Sequence, residues 1–118
     1  MTKRDFRKLA KAAASAADDK KAVDIRLLDV RRESDVTDYL VIAGADSSAQ
    51  MGAVADAVED ALQSDGVRVL HREGRARDRW MALDFGGLVV HLLLREARDF
   101  YRLENLWENA KPVRWNGA

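Results

Sequence analysis

The sequence predicts a single α/β or α+β domain, residues 1–118, built on a mixed sheet of about five strands with flanking helices. Segments of helical and strand periodicity follow one another in the order α-β-β-α-β-β-β-α. Apolar residues make up 47% of the chain, which is enough for a buried core. Neither a repeat nor a low-complexity linker interrupts this pattern, so one domain is expected.

The first helix and the first strand are predicted from their spacing. Thr2 is a candidate N-cap for a helix with Asp5 in its first turn. Apolar side chains then recur at helical spacing: Phe6, Leu9, Ala10, Ala13 and Ala17. After a polar break, apolar and charged residues alternate over about 23–30, which indicates a strand.

A second strand and a second helix follow. The compact apolar run YLVIAGA at 39–45 has the length of a strand. Ser47 then caps a helix, and Gln50 three residues later completes a capping box. The apolar stripe of this helix is Met51, Val54, Ala55, Val58 and Leu62. Gly66 is well placed to end it.

The second half of the sequence is predicted to form three more strands and a last helix. Alternation at 67–72 indicates a strand, and the helix before it would make this strand parallel to 39–45 through a right-handed crossover. The stretch RWMALDFGGLVVHLLL at 79–94 reads as an antiparallel hairpin, so the sheet is mixed. The segment REARDFYRLENLWENAKP at 95–112 is helical in character, and the only proline, Pro112, lies after the helix.

The hairpin presents two different faces. A two-residue turn at Gly86-Gly87 would pair Ala82 with His91, and it would place Trp80 and Asp84 on the same face as His91. The opposite face is uniformly apolar and is the expected core side: Met81, Leu83, Phe85, Leu88, Val90, Leu92 and Leu94. The mixed face suits either a protein-binding surface or a covered face with a hydrogen-bonded core histidine. Pattern alone does not separate these two interpretations.

Charge and composition exclude several classes of protein. The 20 basic and 20 acidic side chains balance, so no net field draws the chain to nucleic acid or a membrane. The charge is nevertheless polarised, with net values of +4 in 1–21 (7 − 3), −7 in 22–65 (3 − 10) and +3 in 66–118 (10 − 7). Cysteine is absent, and there is neither a membrane-spanning apolar run nor a secretory signal. A cytoplasmic protein is expected.

Catalytic and cofactor motifs are incomplete. The loop GADSSAQ at 44–50 joins a strand to a helix N-terminus, where phosphate can bind, but it is not a P-loop. Nucleotide transfer would need clustered carboxylates for Mg²⁺, and Asp46 and Asp84 are single candidates. His71 and His91 lack metal-ligand spacing. We therefore expect no catalytic residue, no metal and no cofactor.

Three segments, VDIRLLDVRRESDVTDYLVIAGADSSAQMGAVADAVEDAL, DRWMALDFGGLVVHLLL and EARDFYRLENLW, resemble the ribosomal silencing factor family, also called the Iojap family. The likeness covers residues 5–108 in order. Its strongest marks are Asp38-Tyr39, Ser47/Ser48, Trp80 with Asp84 and Gly86, His91, Phe100-Tyr101, Leu103-Glu104 and Leu106-Trp107. The sequence departs from the family pattern at two places. Gly87 stands where an acidic residue often follows the glycine, and LLLREAR at 92–98 replaces a less apolar lead into the last helix.

The resemblance implies a nucleotidyltransferase-like topology without transferase activity. It also implies binding to the large ribosomal subunit through its protein L-fourteen, which blocks the small subunit sterically and represses translation, with a role for some members in large-subunit assembly. Homodimers are implied as well, whereas a membrane or a specific nucleic-acid sequence is not an expected partner. The expected partner-binding residues are Trp80 as the main anchor, with Asp84, His91, Tyr101, Tyr39, Glu96 and Glu104. A Mg²⁺-dependent transferase and a homodimeric scaffold are the competing hypotheses.

Overall fold

Two helices and six strands make up the described part of the chain. The computed structural model describes residues 5–75, 77–96 and 110–116. In chain order the elements are α1 Phe6–Asp19, β1 Val23–Asp29, β2 Tyr39–Ala45, α2 Ser48–Ser64, β3 His71–Glu73, β4 Trp80–Asp84, β5 Leu88–Leu94 and β6 Lys111–Pro112. The predicted last helix lies mostly outside these ranges, as does the predicted cap Thr2.

The strands form one mixed sheet in the order β3-β4-β5-β2-β1-β6. Strand β2 pairs in parallel with β5, and the other four pairings are antiparallel. The α+β class and the mixed sheet are therefore confirmed, but the estimate of about five strands misses β6. Pro112 lies in this edge strand, where a proline without an N–H is tolerated.

The predicted strand over 67–72 is wrong in its first part. Only His71 and Arg72 of that range belong to β3, and the Leu70 N–H just before them donates to the Asp84 carbonyl of β4 (2.7 Å). The N–H of Val67 donates to the carbonyl of Leu62 (2.9 Å) and closes the end of α2. The predicted parallel pairing of this strand with 39–45 is also wrong. The parallel neighbour of β2 is β5, and β3 lies at the far edge of the sheet.

The two helices cover one face of the sheet. Ala10, Ala13 and Ala17 of α1 are fully buried, and such small side chains let a helix lie close to its neighbours. On the sheet, the apolar residues of the hairpin face this core as predicted: Met81, Leu83, Phe85, Leu88, Val90 and Leu92 are at most 3% exposed. The other face has a smaller buried cluster of Leu28, Val30, Leu40, Ile42 and Leu93, against which Trp80 packs.

Both helix starts are capped by side chains. Asp5 caps α1 by accepting the backbone N–H of Lys8 (3.1 Å), so it is the N-cap rather than a first-turn residue. Ser47 caps α2 by accepting the N–H of Gln50 (3.1 Å), as predicted. The Gln50 side chain accepts from the Asp46 N–H (2.7 Å) instead of returning to Ser47.

Candidate functional site

The hairpin places Trp80, Asp84 and His91 on the face of the sheet away from α1 and α2. The register pairs Trp80 with Leu93, Ala82 with His91 and Asp84 with Val89, as predicted. The Phe85 N–H donates to the Leu88 carbonyl (2.8 Å) across the two-residue turn. Strand β2 continues this face, because Ile42 lies beside His91 in the parallel pairing. We call the face that carries Trp80, Ala82 and His91 the Trp80 face.

Trp80 and His91 form a hydrogen-bonded pair. The indole N–H of Trp80 donates to Nδ1 of His91 (3.0 Å), and the ring centroids are 5.6 Å apart with the planes tilted by 52°. Burial lowers the pKa of His91 to about 4, so the ring is neutral near pH 7. A neutral ring with Nδ1 as acceptor carries its proton on Nε2. His91 thus supports Trp80 from the adjacent strand.

A hollow opens between this pair and the edge strand. It has a volume of ≈ 270 Å³ and is lined by Glu73, Gly74, Trp80, Ala82 and His91. Its lining therefore combines a glycine, one small apolar side chain, two rings and one carboxylate. Such a mixture of apolar, aromatic and polar groups is characteristic of protein-binding surfaces.

Asp84 lies on the same face but some distance from Trp80. Four residues along a strand separate them by about 13 Å. One carboxylate oxygen of Asp84 accepts the N–H of Gly86 (2.8 Å), so the side chain stabilises the hairpin turn. The carboxylate is only partly exposed, and it is close to the exposed His71 in the cross-strand pairing.

The remaining predicted residues do not gather around Trp80 in the described structure. Tyr39 is 5% exposed and belongs to the helix-side core, with the guanidinium carbon of Arg31 5.5 Å from its ring centroid. Glu96 is exposed and follows β5 at the end of the sheet nearest Trp80. Tyr101 and Glu104 lie outside the described residues.

Sequence reasoning missed a second hollow at the opposite edge of the sheet. It has a volume of ≈ 450 Å³ and is lined by Asp29, Arg31, Arg32, Glu33 and Lys111. Arg31 donates to Asp29 through Nη2 (2.7 Å) and Nε (3.0 Å), and these hydrogen bonds lower the pKa of the Asp29 carboxyl. The Asp-x-Arg spacing could have indicated the pair, but β6 has too little periodicity to predict this edge.

The candidate carboxylates for Mg²⁺ are far apart. Asp84 is level with Leu40 in the sheet, whereas Asp46 follows the other end of β2, about 20 Å away at strand spacing. Asp46 is also paired with Arg95 (2.9 Å). Within the ranges that the structure describes, no group of three or more His, Asp or Glu side chains could hold a metal ion. The same ranges contain no helix with the length and apolarity to cross a membrane.

Fold and face together define a small α+β domain with one helix-covered side and one mixed, aromatic side. Residues 3–117 match the family model described as "Ribosomal silencing factor during starvation". The chain belongs to the ribosomal silencing factor family.

Relatives and solved structures agree with this assignment. The chain is 40% identical over 100 residues to a ribosomal silencing factor of Bacillus subtilis, with 85% of each chain covered. It is 38% identical over 100 residues to the chloroplastic protein Iojap of Zea mays, covering 85% of this chain and 43% of that protein. A crystal structure of a Chromobacterium violaceum protein superimposes with a TM-score of 0.85 at 32% identity, covering 97% of this chain and 98% of that one.

Proposed function

We propose that this chain binds the large ribosomal subunit through its protein L-fourteen and sterically blocks the joining of the small subunit. Family membership supports the ribosome as partner, since the relatives are named ribosomal silencing factors. A steric mechanism needs a rigid surface and no catalytic residue. The proposal therefore assigns the Trp80 face to the partner and treats the repression of translation as its consequence.

The observation that carries the proposal is the hydrogen bond between Trp80 and His91. An indole held at a fixed orientation beside a hollow loses little conformational freedom when a partner covers it. Tryptophan is also enriched among residues whose truncation costs about 2 kcal/mol or more in binding. Asp84 and Glu96 are polar residues on or near the same side, and they would steer a basic partner more than tighten it.

A subunit-joining assay tests the proposed function. Purified small and large subunits are mixed with saturating protein, and the joined ribosomes are quantified by light scattering and gradient sedimentation. We expect wild type to reduce joining. Normal joining at saturating protein would exclude the proposed mechanism.

A homodimeric scaffold that uses the same face on itself is the competing hypothesis. The hollow beside Trp80 is equally able to receive a side chain from a second copy. Analytical ultracentrifugation of wild type and Trp80→Ala separates the two. Loss of self-association in Trp80→Ala with unchanged ribosome binding would favour the scaffold.

A further inference from the structure

The turn between β3 and β4 carries three exposed arginines next to the Trp80 face. The sequence of residues 74–79 is GRARDR, in which Arg75, Arg77 and Arg79 alternate with smaller residues. All three arginines are exposed. The chain as a whole has equal numbers of basic and acidic residues, so this is a local concentration of positive charge.

Hydrogen bonds hold the described residues on both sides of position 76 in this turn. The Asp78 N–H donates to the Arg75 carbonyl (2.8 Å), and the Asp78 carboxylate accepts the Arg75 N–H (2.9 Å). The Arg79 carbonyl accepts the N–H of Leu94 (3.0 Å). At Gly74, with φ at +78°, an added Cβ would lie 2.3 Å from the Trp80 carbonyl oxygen, so only glycine allows this close approach.

The charges of the turn are available for a partner. Ion pairs within the described ranges use Arg31, Arg72, Arg95 and His71, and none of them uses an arginine of the turn. Arg72, just before the turn, is by contrast paired with Glu59 of α2 (3.2 Å). The one acidic residue of the turn, Asp78, already accepts a backbone N–H.

We infer that Arg75, Arg77 and Arg79 form a contact for the phosphate backbone of ribosomal RNA beside the protein contact made by Trp80. This inference rests on the proposed function. A guanidinium presents a planar fork of donors that matches phosphate oxygens. The turn has no apolar side chain larger than alanine. Contacts with phosphate do not require large apolar side chains, whereas the centre of a protein–protein interface does require them. Phosphate contacts do not distinguish one base from another. This agrees with the expectation that the chain does not recognise a specific nucleic-acid sequence.

The salt dependence of binding to isolated large subunits tests this inference. Affinities of wild type and of Arg75→Gln/Arg77→Gln/Arg79→Gln are measured over a series of salt concentrations. Affinity falls with salt, and the loss of each phosphate contact makes the slope of log affinity against log salt less steep by about 0.7 to 0.9. The slope of the triple variant is therefore less steep than that of wild type by roughly two. The matched control, Arg7→Gln/Lys8→Gln/Lys20→Gln, removes three exposed positive charges from and just after α1 and keeps the wild-type slope.

The outcomes distinguish this inference from the proposed function. Absence of wild-type binding overturns the proposed function itself. Wild-type binding with an equal slope for the turn variant, or an equal loss of slope in the control, overturns only the RNA contact. A photo-crosslinking amino acid at position 77 identifies the partner: crosslinks to RNA, removed by ribonuclease, support the inference. Crosslinks to an acidic protein segment overturn it.

Discussion

The indole N–H of Trp80 on β4 donates to Nδ1 of His91 on β5 across 3.0 Å, and this bond fixes both rings on the face away from the helices. The pair is not a cross-strand pair, since Trp80 is opposite Leu93 and His91 is opposite Ala82. It is a diagonal contact, which large aromatic side chains can span. His91 is therefore a positioning residue for Trp80 in the proposed interface.

Replacing His91 separates positioning from packing. His91→Phe preserves an aromatic ring but leaves the Trp80 N–H without this acceptor, so we expect weaker large-subunit binding and a loss of about 1 to 2 kcal/mol in the free energy of unfolding. His91→Gln offers a carbonyl oxygen and should retain more of both. The indole N–H resonance of Trp80 in NMR spectra provides the independent measurement. An unchanged resonance in His91→Phe would contradict the positioning role.

The low pKa of His91 predicts a loss of stability in acid. The pKa falls from 6.5 to about 4 on folding, so between these values the unfolded chain binds more protons than the folded one. Stability is therefore lost as pH falls from about 6.5 to about 4. The full shift corresponds to at most about 3 kcal/mol, and less where water still reaches the ring. Urea unfolding at pH 7 and pH 4.5 measures it, and His91→Phe should show a smaller difference between the two pH values.

The close approach of Gly87 to Phe6 of α1 predicts that substitutions at these two positions are energetically coupled. A Cβ at Gly87 would lie 2.3 Å from Cδ2 of the Phe6 ring, so any larger residue must displace that ring. We expect Gly87→Asp to lower the free energy of unfolding by about 1 to 3 kcal/mol. The double variant Gly87→Asp/Phe6→Ala should be more stable than the sum of the two single changes predicts. Additive costs in this double-mutant cycle would contradict the steric explanation.

The contacts of the Gln50 amide predict that replacing it with a carboxylate lowers the stability of the fold. Its amide nitrogen donates to the carbonyls of Lys20 (3.1 Å) and Lys21 (2.8 Å), which joins the end of α1 to the start of α2. Gln50→Glu keeps the acceptor for Asp46 but places negative charge against two carbonyls. We expect a loss of about 1 kcal/mol in thermal or chemical unfolding, while Gln63→Glu on the exposed face of α2 should cost less.

The spacing of apolar residues predicted the helices and strands that bury one face and expose the other. The register of the hairpin and the Ser47 cap followed from alternation and from cap chemistry, and both are confirmed. Short edge strands were harder: β6 is two residues long, and β3 is three residues long and begins only at His71, after the Val67 N–H has closed the end of α2. The burial of Tyr39 on the helix side was also missed, because an apolar run buried on both faces gives no sign of which side chain points where.

The bond between Trp80 and His91 could not be predicted either. Alternation placed the two side chains on one face, but a diagonal hydrogen bond depends on side-chain rotamers, which the pattern of the sequence does not specify. Nor does the pattern show that Gly74 lies so close to the Trp80 carbonyl that a Cβ would not fit there.

Cosedimentation with purified large subunits tests the central claim most directly. Wild type, Trp80→Ala and Trp115→Ala are compared, because Trp115 packs against the helix-side core and is the matched tryptophan control. We expect wild type and a folded Trp115→Ala to bind, and Trp80→Ala to bind roughly thirtyfold more weakly, corresponding to about 2 kcal/mol. Equal binding of wild type and folded Trp80→Ala would contradict the assignment of the Trp80 face to the ribosome.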